Sequence, residues 1–143
     1  MIYTDMTRKA ISIMYAAHKD QMDKSGVPYV FHPWHVAEQM VTEESCAAAL
    51  LHDVIEDTDV TANDLLKAGI SENVVRAVEM LTHDDSEPYL DYVARIKNNP
   101  IARAVKLADL THNSDITRFN RPMTDKDRAR LEKYEKAKAI LVE

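Results

Sequence analysis

Only two glycines, Gly26 and Gly69, occur in 143 residues. Tight hairpins and bulges draw heavily on glycine, because its backbone reaches conformations that other residues avoid. So sparse a supply argues against a turn-rich β fold and against any glycine-rich phosphate loop. Apolar residues recur instead at helical spacing. Ile11, Met14, Tyr15 and His18 are spaced for one face of a first helix, with Thr4 or Asp5 as its cap. The expectation is an all-α fold, a compact multi-helix bundle with no sheet.

Punctuation along the chain divides that bundle. Ser25-Gly26-Val27-Pro28 is a turn and breaker cluster that ends the first helical stretch. A short extended piece over 27–31 leads to His32-Pro33, where proline at a first helical turn predicts a second helix carrying Val36, Ala37 and Met40 inward. A third helix is predicted from Glu43 or Glu44 through Glu56. It is apolar nearly all round over Cys46-Ala47-Ala48-Ala49-Leu50-Leu51, which places it at the centre of the fold. Thr61 and Ser71 read as caps of two short helices parted at Ala68-Gly69. Ser86-Glu87-Pro88 opens a helix to about Asn98, Pro100 opens the next, and Thr124 caps a charged last helix. That last helix has a narrow apolar stripe of Leu131, Tyr134, Ala137 or Lys138, and Leu141. The stripe suits packing on its own domain or on another subunit of a homo-oligomer.

No linker, repeat or low-complexity tract is visible, so residues 1–143 read as one domain. At this length folding buries roughly 68% of the unfolded chain's surface, enough for a core without disulfides. The only cysteine, Cys46, lies in the apolar run and reads as a small buried residue; a lone thiol fits a reducing cytosol. No secretory or membrane-length apolar stretch occurs, so a cytoplasmic chain with no membrane partner is expected. A net charge of −6 disfavours a nucleic-acid polymer as partner. A small anionic substrate is compatible with it, since one metal ion and a few local cations can outweigh the global field.

The chemistry concentrates in His52-Asp53-Val54-Ile55-Glu56-Asp57. His52 and Asp53 interrupt an apolar helix, where an unpartnered pair would cost several kcal/mol. They are neighbours, pointing about 100° apart on a helix, yet both can reach one ion near its inner edge. His52 with Glu56 and Asp53 with Asp57 are four apart, so each pair shares a face. That spacing suits an ion with an acid/base pair beside it. His32, fixed before a proline at a helix entry, is a further ligand candidate. Asp109, in the apolar run Ala104-Val105-Lys106-Leu107-Ala108-Asp109-Leu110, needs a cation, either Lys106 or a metal. Two imidazoles and two carboxylates without a thiolate suit Mn²⁺, Fe²⁺, Co²⁺, Ni²⁺ or Zn²⁺. His35 is read as packing or facing solvent, His83 as exposed in a polar loop. His18 and His112 are each open to a structural or a site role.

The order His…His-Asp…Asp resembles the HD-domain metal-dependent phosphohydrolases, and most closely the hydrolase domain of RelA/SpoT-type enzymes and the small alarmone hydrolases. The matching pieces are Ala17-His18-Lys19-Asp20-Gln21, Lys24-Ser25-Gly26-Val27-Pro28-Tyr29, His32-Pro33, Leu50 through Thr58, and Lys106-Leu107-Ala108-Asp109 with His112-Asn113. The resemblance implies an all-helical HD-domain bundle and one Mn²⁺-type ion held by His32, His52, Asp53 and Asp109. It implies that Glu56 and Asp57 position and activate the attacking water. It further implies that Lys24, Ser25 and Asn113 lie near the nucleotide, and that the reaction removes the 3′-pyrophosphate of guanosine tetra- or pentaphosphate. Asp23 departs from the pattern, since those relatives carry a guanine-stacking arginine there. Two other readings stand beside this one: an HD hydrolase of another phosphorylated metabolite or nucleotide, and a catalytically silent nucleotide-binding regulatory module. Glu56 and Asp57 speak against the silent module, which needs no such pair.

Overall fold

A computed structural model describes residues 1–143 as nine α-helices: α1 (Asp5–His18), α2 (Phe31–Glu38), α3 (Glu43–Leu51), α4 (Val54–Asp57), α5 (Ala62–Lys67), α6 (Glu72–Leu81), α7 (Tyr89–Ile96), α8 (Pro100–Asn113) and α9 (Asp125–Val142). No strand forms, and the only β contact is an isolated bridge between Met22 and Pro28. The caps expected at Thr4, Thr61, Ser71 and Thr124 stand at their helices, and Thr42, which was not expected, caps α3. Thr4, Thr42, Thr61 and Thr124 each accept a hydrogen bond from the backbone three residues on and close a reciprocal capping box. Each satisfies backbone donors that the helix start leaves over. Gly69, at φ +97°, reverses the chain after α5 in a conformation that costs other residues strain.

Helix α3 is the axis of the molecule. Every residue from Cys46 to Leu51 has no exposed surface, and α3 packs against α1, α2, α6 and α8. Alanines at 47, 48 and 49 let these neighbours approach closely. Outside this centre, α9 packs on α7 and α8 and buries Ala137 and Leu141 of its stripe. On α1 the buried residues are Thr7, Ala10, Met14 and His18, while Tyr15 is 58% exposed. The inward face is therefore rotated from the one that spacing suggested, since the 10, 14, 18 line already fills the contact with α3.

One helix is not as predicted. The stretch from Glu43 through Glu56 breaks at His52-Asp53, leaving α3 and the single turn α4. Asp53 sits at φ −108°, ψ −1°, at the edge of the helical region. The expected extended piece over 27–31 is a turn that runs into α2.

Candidate active site

The break after α3 brings two neighbouring side chains to one point. On an unbroken helix His52 and Asp53 would diverge; here His52 Nε2 lies 3.1 Å from Asp53 Oδ2. His52 is 3% exposed, and its Nδ1 donates to the Ala49 carbonyl at 2.6 Å. That bond puts a ring proton on Nδ1 and leaves Nε2 buried and without a hydrogen-bond partner. Facing it are oxygens of two carboxylates, Asp53 at 3.1 Å and Asp109 at 3.5 Å. His32, carried by α2, places Nε2 2.9 Å from the same Asp109 Oδ1. His32, His52 and Asp109 thus converge within 4.8 Å, all three buried. The four residues singled out from sequence meet in one place.

Such an arrangement requires a cation. A proton on His52 is one choice: burial opposes its charge, but Asp53 and Asp109 outweigh burial and lift the imidazole well above its ordinary range. A divalent ion is the other, and the donor set fits it, with two imidazole nitrogens and carboxylate oxygens converging from three elements. Neighbouring groups orient each donor. Lys106 Nζ donates to Asp109 Oδ2 at 2.9 Å, and Asn113 Nδ2 donates to Oδ1 at 3.0 Å. Burial raises the Asp109 carboxyl, yet Lys106 and the two histidines hold it well below its usual range. Tyr29 donates its hydroxyl to Asp53 Oδ2. Asp53 itself is held at about 2, where His52 overcomes the cost of burial.

His32 is oriented by His112. Their Nδ1 atoms are 2.7 Å apart and the rings are stacked, with centroids at 5.0 Å. One nitrogen must donate and the other accept. Burial, with Arg118 nearby, lowers the His112 imidazole to about 4, so at neutral pH it is uncharged and can accept. His32 then donates from Nδ1, and its Nε2 is the nitrogen that faces Asp109. Sequence left the role of His112 open. His35 is exposed and stacks on the outer face of His112, at 4.2 Å. His18 is fully buried, with Nδ1 2.8 Å from Gln21 Oε1 and its ring against Tyr29.

Glu56 and Asp57, on α4, are more open to solvent, and their oxygens lie within 4.8 Å of those of Asp53. Burial, and then the Asp53 charge, raises the proton affinity of both; for Glu56 a hydrogen bond from the His83 backbone partly offsets this. That bond is short, 2.6 Å from His83 N–H to Glu56 Oε1. His83 was expected to be merely exposed; its backbone instead holds one of the two carboxylates. No sequence signal marks a main-chain donor of this kind.

Beside His32 and His112 opens a cavity of about 360 Å³, walled also by Asp23, Phe31, Trp34 and Arg118. Asp23 Oδ1 accepts from the Ser25 and Val27 amides at 2.8 and 2.9 Å, bracing the turn that Gly26 makes at φ +83°. Its other oxygen faces Arg118 at 3.5 Å. Lys24 and Ser25 lie on this turn, with Lys24 exposed, but neither lines the cavity. Asn113 points at Asp109. Of the three residues that the resemblance put near a nucleotide, Asn113 touches the histidine and carboxylate cluster and Lys24 and Ser25 lie on the turn at Asp23, so the three do not converge on one spot.

A family model described as an HD domain matches residues 10–140. The chain belongs to the HD-domain family. HD-domain proteins depend on metal, in keeping with the cluster above. Among curated relatives, the guanosine-3′,5′-bis(diphosphate) 3′-pyrophosphohydrolase MESH1 of Mus musculus is 35% identical over 114 residues, covering 69% of this chain and 63% of that protein. The bifunctional (p)ppGpp synthase/hydrolase SpoT of Escherichia coli (strain K12) is 34% identical over 121 residues, 74% of this chain and 17% of that protein. The guanosine-3′,5′-bis(diphosphate) 3′-pyrophosphohydrolase of Aquifex aeolicus is 29% identical over 123 residues. This HD-domain chain thus spans under a fifth of the bacterial relatives' length and under two thirds of the mouse protein. A solved structure of a metazoan ortholog of SpoT, described as hydrolyzing ppGpp, superimposes with a TM-score of 0.77 at 25% identity, over 99% of this chain and 88% of that one. None of the nine helices is long and apolar enough to cross a membrane.

Proposed function

We propose that this HD domain, spanning residues 1–143, is a metal-dependent phosphohydrolase of phosphorylated nucleotides, and that it removes the 3′-pyrophosphate of guanosine tetra- or pentaphosphate. The observation that carries the reading is the buried, unpartnered Nε2 of His52, which faces two carboxylates. The relatives named for the same reaction support it. His32, His52, Asp53 and Asp109 are the residues that would hold the ion, with Mn²⁺ as the expected metal. When bound, such an ion supplies Lewis acidity, lowering the pKa of water toward about 7 and stabilising charge on phosphate oxygens.

The remaining chemistry belongs to the chain. Glu56 and Asp57 serve as the acid/base pair. Their proton affinities are raised by burial and by Asp53, which brings them toward the range where a carboxylate can both take and give a proton. Glu56 Oε1 is occupied by the His83 amide, so Oε2 is the oxygen free to take a proton from the attacking water. Lys106, Asn113, Tyr29 and His112 keep the four donor side chains in place. Lys24 and Ser25, on the turn beside the cavity, meet the nucleotide, and Arg118, paired with Asp23, stands at the cavity wall.

A second reading changes the substrate and keeps the chemistry. Asp23 is bound to its own turn and to Arg118, so the cavity presents a neutralised pair where an unpaired arginine would favour a base. Mn²⁺-loaded protein offered a panel of phosphorylated nucleotides, with pyrophosphate and phosphate release measured separately, decides between them. Pyrophosphate from guanosine tetraphosphate supports the first reading. Phosphate from another nucleotide selects the second, and no turnover of any compound contradicts both.

A further inference from the structure

Glu56 does not stand alone on α4. Its Oε1 is held by a main-chain N–H from the segment that joins α6 to α7, and that segment is pinned by one side chain. Arg95, on the last turn of α7, uses its whole fork. Nε donates to both oxygens of Glu87 at 3.1 and 3.0 Å, Nη1 to the Met80 carbonyl at 2.8 Å, and Nη2 to the Thr82 carbonyl at 3.3 Å. These partners bracket His83 on both sides. His83 closes the segment further, with Nε2 donating to the Glu87 carbonyl at 2.8 Å and the ring against Tyr92 at 4.8 Å. Tyr92 also donates its hydroxyl to the Leu81 carbonyl, and the Arg95 guanidinium lies over its ring at 5.1 Å.

A salt bridge of this exposure contributes little to stability by itself, and its Arg95 side chain is 37% exposed. The geometry has a different consequence. A planar guanidinium bonded at four acceptors fixes Thr82 and Glu87 relative to the end of α6, and with them the direction of the His83 N–H. We propose that Arg95 is a positioning residue for the reaction, acting through Glu87 and the His83 amide to hold the Glu56 carboxylate in its working orientation. This rests on the reading of Glu56 as an acid/base group. Two of the site's carboxylates, Asp109 and Glu56, then share one support. Lys106, which braces Asp109, lies 5.4 Å from the same Tyr92 ring, so α7 backs both Asp109 and Glu56.

The test uses steady-state pyrophosphate release from guanosine tetraphosphate by the Mn²⁺-loaded protein. It compares Arg95→Ala, Glu87→Gln, Glu56→Gln and the Arg95→Ala/Glu56→Gln pair, with Mn²⁺ affinity and melting temperature alongside. Arg95→Ala and Glu87→Gln are expected to lower kcat by about 10- to 100-fold, the scale on which small misplacements act, with KM and Mn²⁺ affinity within about twofold. In the Glu56→Gln background Arg95→Ala is expected to cost less than about twofold more, because the group it positions is already gone. Equal losses in both backgrounds, or a change in KM in place of kcat, overturn the proposal. Should Arg95→Ala fold poorly, Glu87→Gln decides, since it leaves Arg95 in place. A readout free of substrate is hydrogen exchange at the His83 amide of metal-free protein, expected to be protected in the wild type and to lose protection in Arg95→Ala; unchanged protection overturns the proposal. Full turnover by Glu56→Gln removes the acid/base reading itself, whereas loss in Glu56→Gln with none in Arg95→Ala removes only the positioning.

Discussion

The two nitrogens of His52 do different work, and the carbonyl of Ala49 decides which does which. With Nδ1 donating inward, Nε2 is the nitrogen that faces the carboxylates of Asp53 and Asp109 and is open to an ion. The residue types at this point were legible in the sequence, because a histidine and an aspartate inside an apolar helix need partners and His32 and Asp109 are the partners their contexts suggest. The supports were less so. His112 carries no mark that separates a bracing imidazole from an exposed one, and only the fold brings it to His32. Two predictions belong here. Glu56→Gln is expected to lower kcat by on the order of 10²–10⁴ with metal affinity retained, whereas Asp53→Asn loses the metal; metal titration and kinetics on both variants check this. Equal loss of metal in both would make Glu56 a ligand. His112→Ala is expected to weaken metal binding by about 10- to 100-fold, the usual worth of a group that orients a ligating histidine. An unchanged dissociation constant would show that His32 needs no such support.

At the scale of elements, the break between α3 and α4 is the feature that sequence did not disclose. Its residues carry no proline or glycine, and an apolar run followed by carboxylates reads as one continuous helix. The cause is tertiary: Asp53, drawn toward His52 and held by Tyr29 from the turn before α2, sits at the edge of the helical region, and the helix is interrupted there. The helix starts were easier, since threonine caps act through contacts only three residues long. Stability should follow this division. Leu50, with no exposed surface at the centre of α3, is expected to cost about 2–5 kcal/mol when cut to alanine. Thr42→Ala, which removes only a cap, is expected to cost about 1 kcal/mol. Denaturant unfolding of the two variants measures both, and a cap loss equal to the core loss would mean that α3 is not the axis of the fold.

Over the whole molecule, the charged last helix closes the bundle through an ion pair. Arg121 donates to both oxygens of Asp127, which is 2% exposed, and Thr124 caps the same carboxylate. The Arg121 hydrogen bonds, followed by those of Thr124, hold the Asp127 carboxyl well below its usual range. A carboxyl depressed in the folded state stabilises at pH above the unfolded value, about 4, and loses that contribution as pH falls toward the folded one. Melting temperature is therefore expected to fall with acidification below about pH 4 more steeply in the wild type than in Asp127→Asn, and parallel curves would contradict this. The overall plan, all-helical with α3 at its centre, could be read from the scarcity of glycine and the apolar run. The cavity beside the histidines could not, because Asp23 and Arg118 are 95 residues apart and meet only once α2 and α8 have packed. The proposed activity depends throughout on the ion. Chelator-stripped protein assayed for pyrophosphate release from guanosine tetraphosphate before and after addition of Mn²⁺ tests it most directly. The expected result is no release until Mn²⁺ is restored, with His52→Ala inactive at any Mn²⁺ concentration; full release from the stripped protein, or from His52→Ala, would contradict it.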